Sequence, residues 1–259
     1  VTAEATVSAQ AVGNTVTLGK SFESTVLYAY ILLFILYISI MLYGQMIATS
    51  VATEKSSRAM ELLISSAKPL NLMFGKVIGV GLAGLTQLAL MIGSGFCFYK
   101  VNSNYWTGIP MVASIFQVPG YVIAFTVIFF ILGYFLYSFM FGAIGSLTSR
   151  MEDISTSIMP IVLIYVASFM ISVFGMMNPE APFVKICSFV PFFTPTVMFI
   201  RITMSDVPPA QVAAGFAILV IFTGLVGYLA AKIYRMGVIM YGKAPKINEL
   251  YKMLKQAKN

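Results

Sequence analysis

Histidine is absent from the 259 residues, and acids are scarce, nine Asp and Glu against 16 Lys and Arg. Without histidine there is no H-E-x-x-H zinc site, no His-based catalytic triad and no His proton relay. No Gly-rich loop ending in Gly-Lys-Ser/Thr occurs, so the chain lacks the phosphate cradle of a P-loop ATPase. Two cysteines, Cys97 and Cys187, are too few for a disulfide framework. Both fall on one side of the topology below, which leaves a bridge open; the alternative is two small buried apolar residues. Charge is thin everywhere: 10% of residues, where a soluble domain carries roughly a quarter.

What fills the chain instead is apolar surface, 59% of residues, with a mean hydropathy of +0.91. Apolar runs of about 20 residues recur, each long enough to cross a hydrocarbon core about 30 Å thick. The expected fold is an all-α integral membrane protein with about five transmembrane helices, at residues 24–47, 70–98, 121–147, 158–177 and 210–234. A transmembrane domain of 22–236 would then be flanked by 1–21 and a tail of 237–259. Tyr105 and Trp106 suit an interfacial position between the second and third spans.

The basic residues fix an orientation. Twelve of the 16 fall on one side of these spans: Lys55, Arg58, Lys68, Lys76, Arg150, Lys232, Arg235 and the five tail lysines. The other four are Lys20, Lys100, Lys185 and Arg201. By the positive-inside rule the crowded side is cytoplasmic, the start of the sequence outside and its end inside. Charge distributed beside spans also argues for a lipid bilayer and against nucleic acid as the partner of this basic chain. The sequence opens at Val1 on a polar, Thr/Val-rich stretch without a signal-peptide layout. The expectation is that 1–21 ends an extracellular domain or linker, preceded by a further span.

Five stretches stand out. Residues 52–66 read as a short amphipathic helix, with Glu54 reaching Arg58 at i+4 and Arg58 reaching Glu61 at i+3. Met60, Leu63 and Ile64 share its apolar face, and the helix either anchors two spans or docks a partner. Arg150, Glu152 and Asp153 form a second charged turn, read as solvated. In the second span, Gly75, Gly79 and Ala83 make a small-residue stripe with Gln87 next on that face. Such stripes pack helices closely, and a mid-membrane Gln must bond across helices or line a wet path. In the first span, Tyr30, Phe34, Tyr37 and Met41 form an aromatic stripe, a helix or subunit interface rather than a substrate lining. Residues 182–203, interrupted by Pro182, Pro191 and Pro195, are apolar yet broken, so they dip into the membrane from outside rather than cross. Phe193 would be inserted, and Arg201 would snorkel to the outer interface.

VATEKSSRAMELLISSAKPLNLMFGKVIGVGLAGLTQL resembles the signature region of ABC-2-type exporter permeases. VPFFTPTVMFIR and YRMGVIMYGKAPKINELYKML are similar to the external Pro-rich section and tail of the sodium-efflux (NatB-like) branch. The resemblance implies a bacterial or archaeal plasma-membrane permease subunit of an ATP-driven exporter, working with a second permease copy or homologue. It implies that Glu54, Lys55, Arg58, Glu61 and Leu62 contact a separate ATP-binding subunit. That subunit would bind ATP and Mg, and this chain would bind no cofactor. It also implies that Pro191, Phe193, Pro195 and Arg201 belong to a re-entrant segment capping the translocation route. Sodium fits less well, because no acidic residue lies deep in any span and oxygen ligands would have to come from amides, hydroxyls or carbonyls. An apolar or amphipathic cargo is equally compatible. A stand-alone secondary transporter or channel would show inverted repeats and intramembrane ionisable groups, and neither is found. An intramembrane enzyme would need the acid–base groups this chain lacks.

Overall fold

The computed structural model describes residues 22–102, 105 and 118–240. The opening 21 residues, Trp106 and the tail beyond 240, for which the sequence raised expectations, lie outside these. Among the described residues the structure is all helical: α1 (Phe22–Ser56), α2 (Ala59–Ser66), α3 (Pro69–Val101), α4 (Gly120–Leu147), α5 (Ile154–Met177), α6 (Pro182–Ser188), α7 (Thr194–Met204) and α8 (Pro209–Gly237). A single 3₁₀ turn, Met151–Asp153, leads into α5. Five helices, α1, α3, α4, α5 and α8, are long and apolar enough to cross a membrane. Proline supplies the punctuation: Pro69, Pro182 and Pro209 each open a helix at its first turn, where a missing N–H costs nothing.

Helix α4 is the axis of the bundle. Its aromatic run, including Phe129, Phe130, Tyr134, Tyr137 and Phe141, is buried, and it packs most extensively on α1 and α8. Close approach is made by glycine. A Cβ on Gly145 would lie 2.6 Å from the Ala48 carbonyl oxygen and 2.9 Å from the Ala48 Cα, so the α1 and α4 backbones meet there. This is the small-residue logic of membrane bundles, where lipid offers no hydrophobic drive between helices and backbone proximity supplies the packing.

The broken Pro-rich stretch folds as a helical hairpin. α6 and α7 are joined by a turn at Phe189–Phe193, and α7 is buried among α5, α1 and α4 along nearly its whole length. Its depth can be read from α4. Gly133 lies halfway along the 28 residues of α4, about 20 Å from its start at 1.5 Å per residue. A Cβ there would sit 2.9 Å from the Pro195 Cβ. One turn further along α4, the Tyr137 hydroxyl donates to the Phe192 carbonyl at 2.7 Å. The hairpin therefore enters from the end of the bundle where α4 and α8 begin, reaches mid-depth and returns. Beneath its tip lie stacked and tilted rings, Tyr37 and Tyr137 each against Tyr165 with centroids 5.2 and 4.3 Å apart.

Gly145→Ala is expected to destabilise the bundle by about 1–3 kcal/mol through overpacking. Gly79→Ala, whose Cβ meets nothing within 4 Å, should leave the melting temperature of the detergent-solubilised chain unchanged. Thermal unfolding of the two variants side by side checks both.

Candidate functional site

Two polar clusters occupy opposite ends of the bundle. At the first, α1 runs on to Ser56, well past its expected end near 47, and stops at Arg58, whose φ of 60° is left-handed. A non-glycine residue there is uncommon and marks a sharp, enforced turn. Helix α2 follows at once, with Met60 buried and Leu63 and Ile64 half-buried, so the apolar face read from the sequence is the one that packs.

The expected charge ladder does not form. Residues 52–66 are two helices broken at Arg58, which removes the i+4 register between Glu54 and Arg58. Glu54 pairs instead with Lys76 on α3, which also donates to the Ser50 hydroxyl at 2.8 Å. Lys55 is 1% exposed and donates to the Ser146 carbonyl on α4 at 2.6 Å. A buried ammonium is tolerated only with such a partner. Two of the five expected docking residues thus staple α1 to α3 and to α4. Arg58, Glu61 and Leu62 stay exposed, Leu62 at 74%. Arg150, Glu152 and Asp153 are exposed as well, a solvated turn as expected.

On α3 the small-residue stripe is turned the other way from the contact. Gly75 and Gly79 have no neighbour within 4 Å of an added Cβ, and Ala83 is exposed. The packed glycines are Gly81, against Tyr134, and Gly84, against Tyr43 and Phe130. Spacing alone cannot say which of two small-residue faces meets the bundle. Gln87 does bond across helices, accepting from the Tyr43 hydroxyl on α1. With Ala83, Thr86, Leu90, Met91 and Ser94, this pair lines an open groove of about 800 Å³. In the aromatic stripe, Tyr30 and Phe34 are exposed while Tyr37 packs on Tyr165 and Phe169. Cys97 is exposed and Cys187 buried, and both are free thiols, so the bridge is not made and Cys97 is not the buried residue expected.

At the opposite end Arg201 overturns its expected role. It does not snorkel: it is fully buried, one of the largest such side chains. Nη1 donates to the Ser188 hydroxyl at 2.8 Å and Nη2 to the Gln211 side-chain oxygen at 3.0 Å, with Glu180 at 3.6 Å. One guanidinium therefore ties α6, α7, α8 and the loop before α6 together, a use of the planar fork that Lys cannot copy. Pro195 is buried at the hairpin tip, whereas Pro191 and Phe193 are half-buried. Ser168 and Thr196 share a hydrogen bond of 2.5 Å between α5 and α7. Sequence reasoning missed Glu180, Gln211, Lys76 and Ser146, because each acts as a partner from another element and carries no local signal. No group of three metal-ligating side chains occurs among the described residues.

A five-span bundle with an internal helical hairpin and a broken, charged elbow after its first described span is now in view. The family model described as "ABC-2 family transporter protein" matches residues 2–232. The chain belongs to the ABC-2 transporter family. It is 42% identical over 242 residues to the uncharacterised protein YhaP of Bacillus subtilis (strain 168), covering 93% of this chain and 58% of that protein. To the uncharacterised protein MJ1024 of Methanocaldococcus jannaschii it is 28% identical over 240 residues, covering 91% of this chain and 56% of the relative. The chain thus spans little more than half the length of these curated relatives. No solved structure matches it. As a member of this family, with five helices long and apolar enough to cross a membrane, it is a multi-pass membrane protein of the transporter class.

Arg201→Met is expected to cost about 1–3 kcal/mol, because Ser188 and Gln211 lose a buried donor, and Arg201→Lys should restore only part of it; chemical or thermal unfolding in detergent measures both. Glu180, in the loop before α6, supplies a pH test. Its burial works to raise its pKa, but hydrogen bonds from Lys185 and Ser205 and the charges of Arg201 and Lys185 outweigh this and hold it below the ordinary glutamate value. Its contribution is therefore present above the unfolded pKa of about 4.3 and lost as pH falls through the lower folded value. The melting temperature should drop across that acidic window, and Glu180→Gln should flatten the drop.

Proposed function

We propose that this chain is the permease subunit of an ATP-driven exporter, coupled to a separate cytosolic ATP-binding subunit through the elbow at Ser57–Ser66. One observation carries the reading. The elbow presents Arg58, Glu61 and Leu62 to solvent, while the turn of helix just before it is stapled to the bundle by Glu54–Lys76 and Lys55–Ser146. An exposed mixed-charge rim suits a contact that forms and re-forms with each ATP cycle, and a stapled helix passes the displacement on to α1, α3 and α4. Glu54 and Lys55 are assigned to transmission and Arg58, Glu61 and Leu62 to docking. ATP and Mg are held by the partner subunit, and a second permease copy or homologue completes the transporter.

The basic end, with Lys55, Arg58, Lys76 and Arg150, faces the cytoplasm of a bacterial or archaeal plasma membrane. The Pro-rich hairpin then enters from outside and plugs the bundle to mid-depth. Cargo access would require this plug to shift or the route to run along its flank. Its interior is aromatic and hydroxyl-bearing, which suits an apolar or amphipathic cargo as well as it suits sodium.

The test is recovery of a P-loop ATPase on purification of the full-length protein from its native host. Arg58→Glu combined with Leu62→Asp should reduce that recovery about tenfold or more, the 1.4 kcal/mol or more expected of a central contact, with the melting temperature unchanged. Undiminished recovery with the double variant would move the docking site elsewhere.

A further inference from the structure

A groove of about 700 Å³ opens beside the hairpin, walled by the first turns of α4 and α8 and the end of α7. Phe125, Phe129 and Phe216 line it, with Tyr121 and Asp206 among its polar groups. This size, an apolar wall and a few convergent polar groups are the marks of a small-molecule site. Tyr121 to Phe129 spans eight residues of α4, about 12 Å, most of the hydrocarbon depth of one leaflet. Tyr121 sits at the first turn of α4 and Asp206 in the loop between α7 and α8, so the polar groups gather at the bundle end and the rings lie deeper.

Among the described residues the lining carries charge of one sign. Asp206 is the sole charged residue among the described residues lining the groove. A carboxylate keeps several acceptor positions even when one is engaged. Tyr121 also lines the groove, and an aromatic ring attracts quaternary ammonium groups. The comparable groove on α3 is lined by uncharged residues only, so nothing there selects an occupant.

We infer that this groove binds a single-chain cationic amphiphile, its tail against Phe125, Phe129 and Phe216 and its ammonium head at Asp206 and Tyr121. Only the placing of the site in the outer leaflet rests on the orientation proposed above. Occupancy does not require transport, so the site and the exporter reading fail separately.

The probe is dodecyltrimethylammonium with a photoreactive diazirine in its tail, applied to the full chain in phosphatidylglycerol nanodiscs, with labelled peptides mapped by mass spectrometry. Saturable labelling is expected in peptides carrying Phe125, Phe129 and Phe216, competed by unlabelled dodecyltrimethylammonium and not by dodecyl sulfate. Asp206→Asn should raise the half-saturating concentration about fivefold, and Asp206→Glu should restore it. Ala213→Trp, which fills the groove from α8, should abolish labelling while the protein elutes unchanged on gel filtration. The proposal is overturned by labelling that does not saturate or spreads evenly over α3. It is equally overturned by competition from the sulfate, or by labelling of Ala213→Trp like the unsubstituted chain.

Discussion

Every polar group inside a bilayer must find its partner within the protein, because hydrocarbon offers none. The hairpin of α6 and α7 shows what this demands. An arginine, several hydroxyls and a broken stretch of backbone lie inside the bundle, and the guanidinium Nη atoms, Thr196 and the Phe192 carbonyl are met by groups from other elements. Gln211 and Ser188 receive the Arg201 fork, Thr196 meets Ser168, and the Phe192 carbonyl is capped by Tyr137. Gly133 leaves room for Pro195 to arrive. Remove these matches and an irregular segment has no reason to stay at mid-depth; with them it is held as firmly as a span.

At the other end the same rule divides one charged segment into two jobs. Charges that fall beside the bundle are paired and become staples: Glu54 with Lys76, Lys55 with Ser146. Those past the left-handed turn at Arg58 face water and are left for something else to meet. Fixed staples next to an exposed rim are the arrangement that the proposed coupling to a partner subunit calls for. A rim alone would bind without transmitting, and a stapled helix alone would have nothing to receive.

Much of this was legible early. The all-helical class and the five long apolar helices followed from apolar length, and the break of 182–203 into two short helices has the prolines of that stretch beside it. The face of α2 was right because Met60, Leu63 and Ile64 obey helical spacing locally. The charge ladder failed because a helix period was carried across Arg58, where the backbone turns left-handed. The stripe of Gly75, Gly79 and Ala83 failed because α3 carries a second set of glycines, Gly81 and Gly84, that the bundle uses. Arg201 failed because snorkelling is the default for an arginine near an interface only when no buried acceptors are offered.

Composition and order along the chain determined the solvent this protein lives in, the number of its crossings and which end carries positive charge, since these depend on transfer free energies summed over neighbouring residues. Only the tertiary structure decided which charges are paired. Lys55 meets a carbonyl 91 residues away, and Tyr137 one 55 residues away. Partners at such separations are set by how helices pack, and packing is decided by the shapes of whole faces rather than by any local pattern.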